Sequence, residues 1–413
     1  MISYAKALRL IEKISINLKN EKISSINSIN RVSAENILSP NNNPLSNNTA
    51  FDGFAILAKE TKGLSKKKAK KFKILKTIAA GDNPKIKNYI KNSVVEVMTG
   101  GLIPKYYDSI LPVEKAKFFP SNKKPTHLIV GEKVEKFSHV RFAGEDYKKK
   151  DIVVKKGELI KPKHLMAFTT LGIKEILVKK KPKIIFFGTG NEIVDYKKKN
   201  IPAWKVINSN NYYFKTFADS LNFEIINGGT IKDNQPKKLK KLLTKFLKSD
   251  INFFVTSGAI SAGKYDFIPK LIQDYGFKKC FKGVAIKPGR PIMLSRLKNK
   301  LFFGLPGNPI SCAAGFRFFI YPLIRNSLGM LKEKNFRAQL VNKYSKSKNF
   351  THFARCLIIF NNKGLGKLQA LQGQQSHRIE SFVKANCWGI FPGGKERFKS
   401  GNIIEWVHLI PIS

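Results

Sequence analysis

Polar side chains occur together with glycine or proline in four short segments of the chain, and this combination favours the binding of anions. The segments are Gly188 to Glu192, the surroundings of Asp233, Ser257 to Asp266, and Gly304 to Ser311. Small residues allow backbone N–H groups to approach phosphate oxygens, and the run from Ser257 to Asp266 is small enough for this. Each segment on its own also fits a surface loop or rigid turn without a ligand.

The segment Gly304-Leu305-Pro306-Gly307-Asn308-Pro309-Ile310-Ser311 carries the strongest of these patterns. It follows the apolar run Leu301 to Phe303, which predicts a buried strand, and precedes the apolar stretch Ile310 to Leu323, which predicts a helix. Pro309 suits the first turn of that helix because its missing N–H costs nothing there. Free N–H groups at this strand-to-helix turn would face outward, as an anion site requires. A rigid turn that binds nothing is the alternative.

Three acidic residues of these segments, Glu192, Asp233 and Asp266, would form a magnesium site if they meet in one crevice. Mg²⁺ takes oxygen ligands, keeps several waters and would offset the charge of a bound pyrophosphate. Asp233 fits equally well as a helix cap, and the other two as surface acids.

Two basic residues, Lys287 and Arg290, lie three positions apart in the proline-containing turn Ile286-Lys287-Pro288-Gly289-Arg290-Pro291. A stiff turn holds its cations with little entropy left to lose when an anion binds. In a chain this basic, a solvated loop is an equally good interpretation of the pair.

Strands alternate with helices in the part of the chain that contains these segments. Strands are predicted at 184–187, 223–226, 251–255 and 301–303, and helices at 211–221 and 239–247. The alternation indicates a doubly wound, mostly parallel sheet with helices on both faces. Ligands of such sheets bind beyond the carboxyl ends of the strands, and the four segments are located there.

The rest of the sequence predicts a terminal helix and two β-rich regions. Residues 3–18 repeat apolar side chains at helical spacing. Residues 45–147 contain short β-type runs separated by glycine-marked turns, and residues 327–413 return to short strands.

Composition predicts a folded protein without a membrane span. The chain has 413 residues, 42% of them hydrophobic, enough for roughly two to four domains. No apolar run reaches the about 18 residues that a span needs. The N-terminal segment is amphipathic and unlike a signal peptide, which favours a cytoplasmic protein. Four widely spaced cysteines without a C-x-x-C pair argue against a zinc site or a disulfide framework.

The net charge of +48 suggests nucleic acid, an anionic membrane surface or an anionic ligand as a partner. Lysines greatly outnumber arginines and are scattered in short runs such as 66–68 and 197–199. This distribution favours a compositional bias over a nucleic-acid-binding surface, so we expect neither nucleic acid nor membrane as a partner. The positive field would still help to attract a polyanionic small molecule.

Taken in order, the motifs resemble those of the molybdopterin molybdenumtransferase family, which includes the gephyrin E domain. The similarity extends over nearly the whole chain. The matching segments are Asn47 to Ala55 (family D-N-S-A-M-D-G-Y-A), Val97 to Gly101 with Ile103-Pro104 (I-M-T-G-A and x-P), Gly144 to Asp146 (G-E-D), Gly188 to Ile193 (S-T-G-D-E-L), Ser257 to Asp266 (S-G-G-V-S-V-G-x-x-D), Lys287 to Gly289 (K-P-G) and Leu305 to Pro309 (L-P-G-N-P). Arg355 and Gln375-Ser376-His377 fall where the family has basic and serine ligands.

The resemblance implies a multidomain α/β fold. It would comprise a doubly wound, mostly parallel sheet domain of the molybdopterin-binding type, an elongated β-rich module and a small C-terminal β-barrel-like domain. The implied divisions are 1–25 for a helix packed on the α/β domain, 26–44 with 148–180 for a connecting and dimerisation domain, 45–147 for the inserted β-rich domain, 181–326 for the α/β domain and 327–413 for the C-terminal domain.

The resemblance also implies the reaction. A transferase of this family binds adenylylated molybdopterin, cleaves its pyrophosphate bond with release of AMP, and inserts molybdate to give the molybdenum cofactor. Mg²⁺ would be required, with Glu192, Asp233 and Asp266 as its ligands or as groups that act on the phosphoanhydride. The expected substrate- and oxyanion-binding residues are Gly190, Ser257, Gly258, Lys287, Arg290, Pro306, Gly307, Asn308, Pro309, Ser311, Arg355 and Ser376.

A second set of residues is implied to act across a subunit interface. Asp52, Thr99 and Asp146 belong to the β-rich part and would reach the pocket of a partner subunit, which implies a homodimer with the active site at the interface. The adenylyltransferase that makes the substrate would be a transient partner.

The sequence departs from the family pattern at several positions. Glu96 and Ala143 stand where the family usually has arginine, and Asn191 replaces an aspartate, which bears on phosphate binding there. Two other functions fit part of the pattern: a molybdopterin adenylyltransferase, for which the β-rich and C-terminal regions would be surplus, and a non-catalytic scaffold that keeps the fold.

Overall fold

A computed structural model of the chain describes residues 1–216, 218–232, 235–258 and 268–411. The chain divides into two compact units. Unit 1 comprises Met1–Glu35, Lys155–Leu165 and Glu175–Ser413, and unit 2 comprises Asn36–Val154 and Met166–Lys174. The helices are Tyr4–Glu12, Pro162–Leu171, Asn210–Lys215, Pro236–Lys248, Ile268–Asp274, Pro309–Gly315, Tyr321–Ser327 and Glu380–Lys384, with a π-helical turn at Phe316–Ile320. Among the helices of these ranges, none has the length and apolar character of a membrane span.

The centre of unit 1 is a six-stranded sheet. Its strand order is Glu224–Ile231, Lys183–Thr189, Phe253–Ser257, Lys300–Leu305, Met293–Leu297 and Lys278–Lys282. The first four strands are parallel to one another. The fifth strand pairs antiparallel with the fourth, and the sixth pairs antiparallel with the fifth. The expected doubly wound, mostly parallel sheet is therefore confirmed.

Burial on both faces explains why these strands read as continuous apolar runs. In the strand Phe253–Ser257, Phe253 and Val255 belong to the core on one face of the sheet, whereas Phe254 belongs to the core on the other. Helices Pro236–Lys248 and Ile268–Asp274 cover the second face. In strand Phe253–Ser257 the polar residues Thr256 and Ser257 come at the carboxyl end, after the apolar run.

The C-terminal part of unit 1 is a closed five-stranded β-barrel. Its strands follow the order Thr351–Phe360, Gly366–Ala370, Phe336–Leu340, Ile403–His408 and Cys387–Phe391, and the last pairs again with the first. A short sixth strand, Ile286–Lys287, pairs in parallel with Thr351 and His352. This pairing attaches the proline-containing basic turn to the barrel.

Unit 2 is β-rich, as expected for this part of the chain. Its six-stranded sheet has the order Ser109–Pro112, Gly53–Ile56, Ser93–Val97, Lys70–Ile78, His127–Val130 and Lys117–Phe119. Short two-stranded pairs complete the described strands of the chain: Asn20–Ser24 with Glu175–Lys179, Ile37–Leu38 with Ile152–Val154, Asn48–Thr49 with Val140–Arg141, Ile193–Val194 with Val206–Ile207, and Tyr344–Ser345 with Arg397–Phe398.

The helix expected at residues 3–18 is shorter in the structure. It begins after Ser3, whose side chain accepts a hydrogen bond from the N–H of Lys6, and it ends at Glu12. Residues 14, 16 and 18 are buried in alternation with exposed neighbours, which is the period of extended chain rather than of a helix. The helix expected at 211–221 is likewise shorter and runs over Asn210–Lys215.

Candidate functional site

A cavity of about 260 Å³ lies in unit 1 where the basic turn, the loop after strand Lys300–Leu305 and a loop of the barrel come together. It is lined by Ile286, Lys287, Pro288, Gly289, Arg290, Pro291, Pro306, Asn308, Ser311, Gln374 and Ser376. The residues come from three separate stretches of sequence. Six of the expected substrate-binding residues are therefore brought together: Lys287, Arg290, Pro306, Asn308, Ser311 and Ser376.

The basic turn is fixed by its backbone. The peptide bond between Lys287 and Pro288 is cis, and Gly289 has a positive φ of 103°. A Cβ at position 289 would lie 3.5 Å from the carbonyl oxygen of Ser311, so the turn packs closely on the helix that begins at Pro309. The positive φ also disfavours any residue with a side chain at this position.

The loop between strand Lys300–Leu305 and helix Pro309–Gly315 forms a second wall of the cavity. Asn308 precedes the helix, and its carbonyl oxygen accepts the N–H of Cys312. The Asn210 side chain donates to the carbonyl oxygen of Gly307 at 3.0 Å. Pro309 occupies the first turn, as its fixed φ and missing N–H predict.

The charge of the cavity wall is positive. Of the described lining residues, Lys287 and Arg290 are charged, and Asn308, Ser311, Gln374 and Ser376 supply neutral polar groups. The amide of Asn308 donates to the hydroxyl oxygen of Ser376 at 2.9 Å. Because that oxygen accepts from Asn308, the hydroxyl proton of Ser376 remains available to an anion. The described part of the wall thus presents cations and hydrogen-bond donors.

His352 adds no charge to this region. His352, which pairs with Lys287 in the sheet, is buried, and its Nδ1 lies 2.6 Å from the Tyr344 hydroxyl. Burial lowers the pKa of His352 to about 3, and the nearby cations Lys287, Arg355 and Lys346 act in the same direction. The imidazole is therefore neutral at neutral pH and shares a hydrogen bond with the Tyr344 hydroxyl.

Arg355 is buried in the barrel and is not among the residues that line the cavity. Its Nη2 donates to the carbonyl oxygens of Gly373 and Gln375 at 2.6 and 3.1 Å, and its Nε donates to the Ser381 hydroxyl. Within the described part of the chain, Nη1 has no hydrogen-bond partner. Burial lowers the pKa of Arg355 to about 10, so it stays charged. The guanidinium mainly holds the loop that carries Ser376.

The carboxyl ends of strands Lys183–Thr189 and Phe253–Ser257, each followed by a glycine, pack on each other next to the end of strand Lys300–Leu305. The Thr189 hydroxyl donates to the carbonyl oxygen of Ser257 at 2.9 Å, and the N–H of Gly258 donates to the carbonyl oxygen of Leu305 at 2.7 Å. Gly258 has a φ of 103°, and a Cβ there would lie 2.7 Å from the Thr189 carbonyl oxygen. A Cβ at Gly307 would lie 3.9 Å from the Cα of Gly258. Only glycine allows this approach of backbones.

Glu192 is exposed and turns back over Gly190. A Cβ at Gly190, whose φ is 137°, would lie 2.5 Å from both carboxylate oxygens. Within the described ranges these oxygens make no hydrogen bond or ion pair, so both are available to a cation.

Two of the three expected magnesium ligands, Asp233 and Asp266, lie outside the described residues, as do residues 259–265 of the segment that follows Gly258. Among the residues that the structure does describe, no cluster of three or more histidine, cysteine or acidic side chains is arranged to hold a metal ion. The magnesium site therefore stays a prediction.

The remaining three expected residues lie in unit 2. Asp52 accepts hydrogen bonds from the hydroxyl and the backbone N–H of Thr99, at 2.7 and 2.6 Å. These two bonds lower the pKa of Asp52, so its carboxylate is ionised and fixed in orientation. Asp146 accepts from the side-chain amide of Asn43 at 2.8 Å.

The two positions of unit 2 that lack a family arginine have local partners of their own. The Glu96 carboxylate accepts from the Thr77 hydroxyl. The backbone N–H of Ala143 donates to the side-chain oxygen of Asn47 at 2.9 Å. Neither residue supplies a cation where the family usually has one.

Gln374 was missed by the sequence analysis, although it lines the cavity. It stands two residues before Ser376, and no spacing or composition signal marks it. Its role depends on contacts with Arg355, which is 19 residues away in the chain.

Three protein-family models match the chain. They describe the MoeA N-terminal region (domain I and II) at residues 2–172, a probable molybdopterin binding domain at 185–326 and the MoeA C-terminal region (domain IV) at 337–409. Together they account for nearly all of the sequence, in the order that the resemblance implies.

Curated relatives and solved structures agree with these matches. Proteins named molybdopterin molybdenumtransferase are 28% identical in Haemophilus influenzae, over 96% of this chain and 95% of that protein, and 26% identical in Staphylococcus epidermidis, over 98% and 94%. The crystal structure of a molybdopterin biosynthesis MoeA protein from Pyrococcus horikoshii superposes with a TM-score of 0.84 at 25% identity, over 99% of both chains.

Proposed function

Because the chain belongs to the molybdopterin molybdenumtransferase family, we propose that it is a transferase which inserts molybdate into adenylylated molybdopterin, releases AMP and forms the molybdenum cofactor. One observation carries this proposal beyond the family: among the residues that the structure describes, the cavity is lined by two cations and four neutral polar residues. Molybdate is a tetrahedral dianion, and charge-assisted hydrogen bonds from fixed cations are the contacts that such an oxyanion prefers.

The residues of the cavity have distinct roles in this proposal. Lys287 and Arg290 neutralise the charge of the oxyanion, while Ser311 and Ser376 donate hydroxyl protons to its oxygens. Asn308 orients Ser376 through the bond between their side chains. Arg355 fixes the loop and keeps one donor, Nη1, that has no partner among the described residues.

The glycine-containing strand ends serve the phosphates of the substrate. Backbone groups at Gly190, Ser257, Gly258 and Gly307 lie at the carboxyl end of the sheet, where ligands of doubly wound sheets bind. Pro306 and Pro309 hold the loop between them. Rigid N–H groups in such a turn lose little entropy when they bind a phosphate oxygen.

A magnesium ion fits the one acidic ligand that the structure describes. Carboxylate oxygens suit Mg²⁺, and both oxygens of Glu192 are without a hydrogen-bond or ion-pair partner among the described residues. We propose Glu192, Asp233 and Asp266 as its ligands. When bound, the ion would neutralise charge on the pyrophosphate group.

The proposed active enzyme is a homodimer whose site combines two subunits. Asp52, Thr99 and Asp146 of one subunit would face the cavity of the other, where the ionised Asp52 would act on the phosphoanhydride region of the substrate. The hydrogen bonds from Thr99 support this role because they hold the carboxylate in one orientation.

Mixing two impaired variants, assayed at a molybdate concentration too low to saturate Lys287→Gln, tests the shared site. In a heterodimer of Asp52→Asn and Lys287→Gln chains, one site would carry both substitutions and the other neither, so activity would return on mixing. A site built from a single chain predicts no recovery.

The location of the enzyme, its transient partner and its domain divisions are also proposed. We place the enzyme in the cytoplasm, in transient contact with the adenylyltransferase that supplies its substrate. We also propose the domain divisions 1–25, 26–44 with 148–180, 45–147, 181–326 and 327–413.

Incubation of the purified chain with adenylylated molybdopterin, Mg²⁺ and molybdate tests the reaction. Release of AMP together with the molybdenum cofactor supports the proposal. Consumption of ATP with unmodified molybdopterin would indicate an adenylyltransferase instead, and tight binding without turnover would indicate a scaffold.

A further inference from the structure

We propose that Gln374 is a positioning residue of the oxyanion cavity: its side-chain amide fastens the loop 373–376 to the barrel and so holds Ser376 in the cavity wall. The inference rests on the proposed function, since it identifies the bound oxyanion as molybdate. Ser376 lines the cavity, and so does Gln374, two residues before it in the chain.

The amide of Gln374 completes the hydrogen bonding of a barrel strand where its neighbour strand ends. Strand Gly366–Ala370 pairs with the long strand up to Cys356, which lies opposite Ala370. One residue further, the N–H of Arg355 donates to the side-chain oxygen of Gln374 at 3.0 Å, and the Gln374 amide donates back to the Arg355 carbonyl oxygen at 2.9 Å. Without Gln374 the Arg355 N–H would lose this acceptor, which costs stability in a buried strand, whereas the Arg355 carbonyl oxygen would keep the N–H of Leu371 at 3.0 Å.

A third bond ties the same amide to the beginning of the loop. Gln374 Nε2 also donates to the carbonyl oxygen of Leu371 at 2.8 Å. The side chain thus uses its oxygen and its nitrogen on backbone groups and offers no strong donor to the cavity. Its contribution to the wall is the position that it gives to the loop.

The Arg355 side chain reinforces this arrangement from the same strand. Its guanidinium donates to the carbonyl oxygens of Gly373 and Gln375, on either side of Gln374. The loop is therefore held at three consecutive residues before it reaches Ser376, which accepts the Asn308 amide. Loss of the Gln374 clamp would release Ser376 from the orientation in which its hydroxyl faces the anion.

The barrel contains a matched control for this clamp. Asn386 makes the same reciprocal pair with the backbone of Ile358, at 2.8 and 3.0 Å. Ile358 belongs to the same strand as Arg355, and Asn386 does not line the cavity. Replacement of either amide removes one clamp from the strand, but only Gln374 adjoins Ser376.

Equilibrium dialysis of molybdate against the full-length wild type, Gln374→Ala, Gln374→Asn and Asn386→Ala proteins tests the inference, with thermal melting of each protein alongside. We expect about a tenfold weaker molybdate affinity in both Gln374 variants, the size of one lost hydrogen bond to a charged ligand. Asn386→Ala should bind as the wild type does. At saturating molybdate, AMP release by Gln374→Asn should stay near the wild-type rate, so the loss appears in KM rather than in kcat.

Three results would overturn the inference, and they separate it from the proposed function. Wild-type affinity in the Gln374 variants would show that the amide does not position the wall. An equal loss in Asn386→Ala would show that any weakened barrel binds molybdate poorly. A wild type that binds no molybdate would remove the proposed function itself, and this inference with it.

Discussion

Replacement of Lys287 by glutamine tests whether the cavity binds an oxyanion by local charge. The substitution removes one of the two cations that line the cavity and keeps a polar side chain of similar length. A hydrogen bond to a charged group contributes about 1.5–3 kcal/mol, and about 1.4 kcal/mol corresponds to a factor of ten in the dissociation constant. Because Lys287 is exposed and Arg290 remains, we expect the lower end of that range, about a tenfold weaker affinity for molybdate.

Equilibrium dialysis with molybdate at low and high salt measures this change. The Debye length falls from about 10 Å at 0.1 M to about 3 Å at 1 M ionic strength, so wild-type binding should weaken with salt more than binding by the variant. Lys282→Gln is the matched control. Lys282 is exposed on strand Lys278–Lys282, does not line the cavity, and its replacement lowers the net charge of +48 by the same single unit.

The two lysine variants distinguish a local site from a general positive field. If Lys282→Gln weakened binding as much as Lys287→Gln, the net charge and not the cavity would attract molybdate. Unchanged affinity in Lys287→Gln would show that this side chain only faces solvent.

Three further predictions follow from individual contacts. Gly258→Ala should lower the melting temperature more than Gly229→Ala. Both glycines have a positive φ, which costs a residue with a side chain about 1–2 kcal/mol, but only at position 258 would the new Cβ lie against Thr189. Equal losses would contradict the close packing of the strand ends. Between pH 7 and pH 5 the free energy of unfolding should fall by about 2 kcal/mol more in the wild type than in His352→Gln. The reason is the lowered pKa of His352, which keeps the folded protein unprotonated where the unfolded chain binds a proton. Parallel pH profiles of the two proteins in denaturant titrations would refute this. Asp52→Asn should abolish AMP release and leave molybdate binding intact, and normal turnover would remove Asp52 from the mechanism.

The number of protons bound by the folded and the unfolded chain decides whether acid lowers or raises the stability through His352. Below its unfolded pKa of about 6.5 the histidine of the unfolded chain is protonated, and in the folded chain it stays neutral down to about 3. Acid therefore favours unfolding throughout that interval. The stabilising contribution is complete above the unfolded pKa and disappears as the pH falls towards the folded one.

The central sheet could be predicted from sequence because its strands are buried on both faces. Runs such as Phe253 to Val255 have to be apolar throughout, so the polar residues that follow them mark the strand ends. The turn Gly304 to Ser311 was predictable for the same reason, together with the fixed backbone of Pro309. The residue types along these segments therefore predict where the loops at the edge of the sheet lie.

Contacts between distant segments could not be predicted in this way. The clamp of Gln374 on Arg355, and the burial that turns the Arg355 guanidinium towards backbone carbonyls, depend on barrel closure. The N-terminal helix was extended too far because Ile14, Ile16 and Leu18 are apolar at positions that fit either period over so short a stretch. Only the packing of residues 14–18 as extended chain decides between the two.

The most direct test of the account measures AMP released from adenylylated molybdopterin as a function of molybdate concentration. We expect AMP and molybdenum cofactor to form in equal amounts, with a half-saturating molybdate concentration that rises in Lys287→Gln and not in Lys282→Gln. Binding of the nucleotide without AMP release at any molybdate concentration would contradict the proposed transferase.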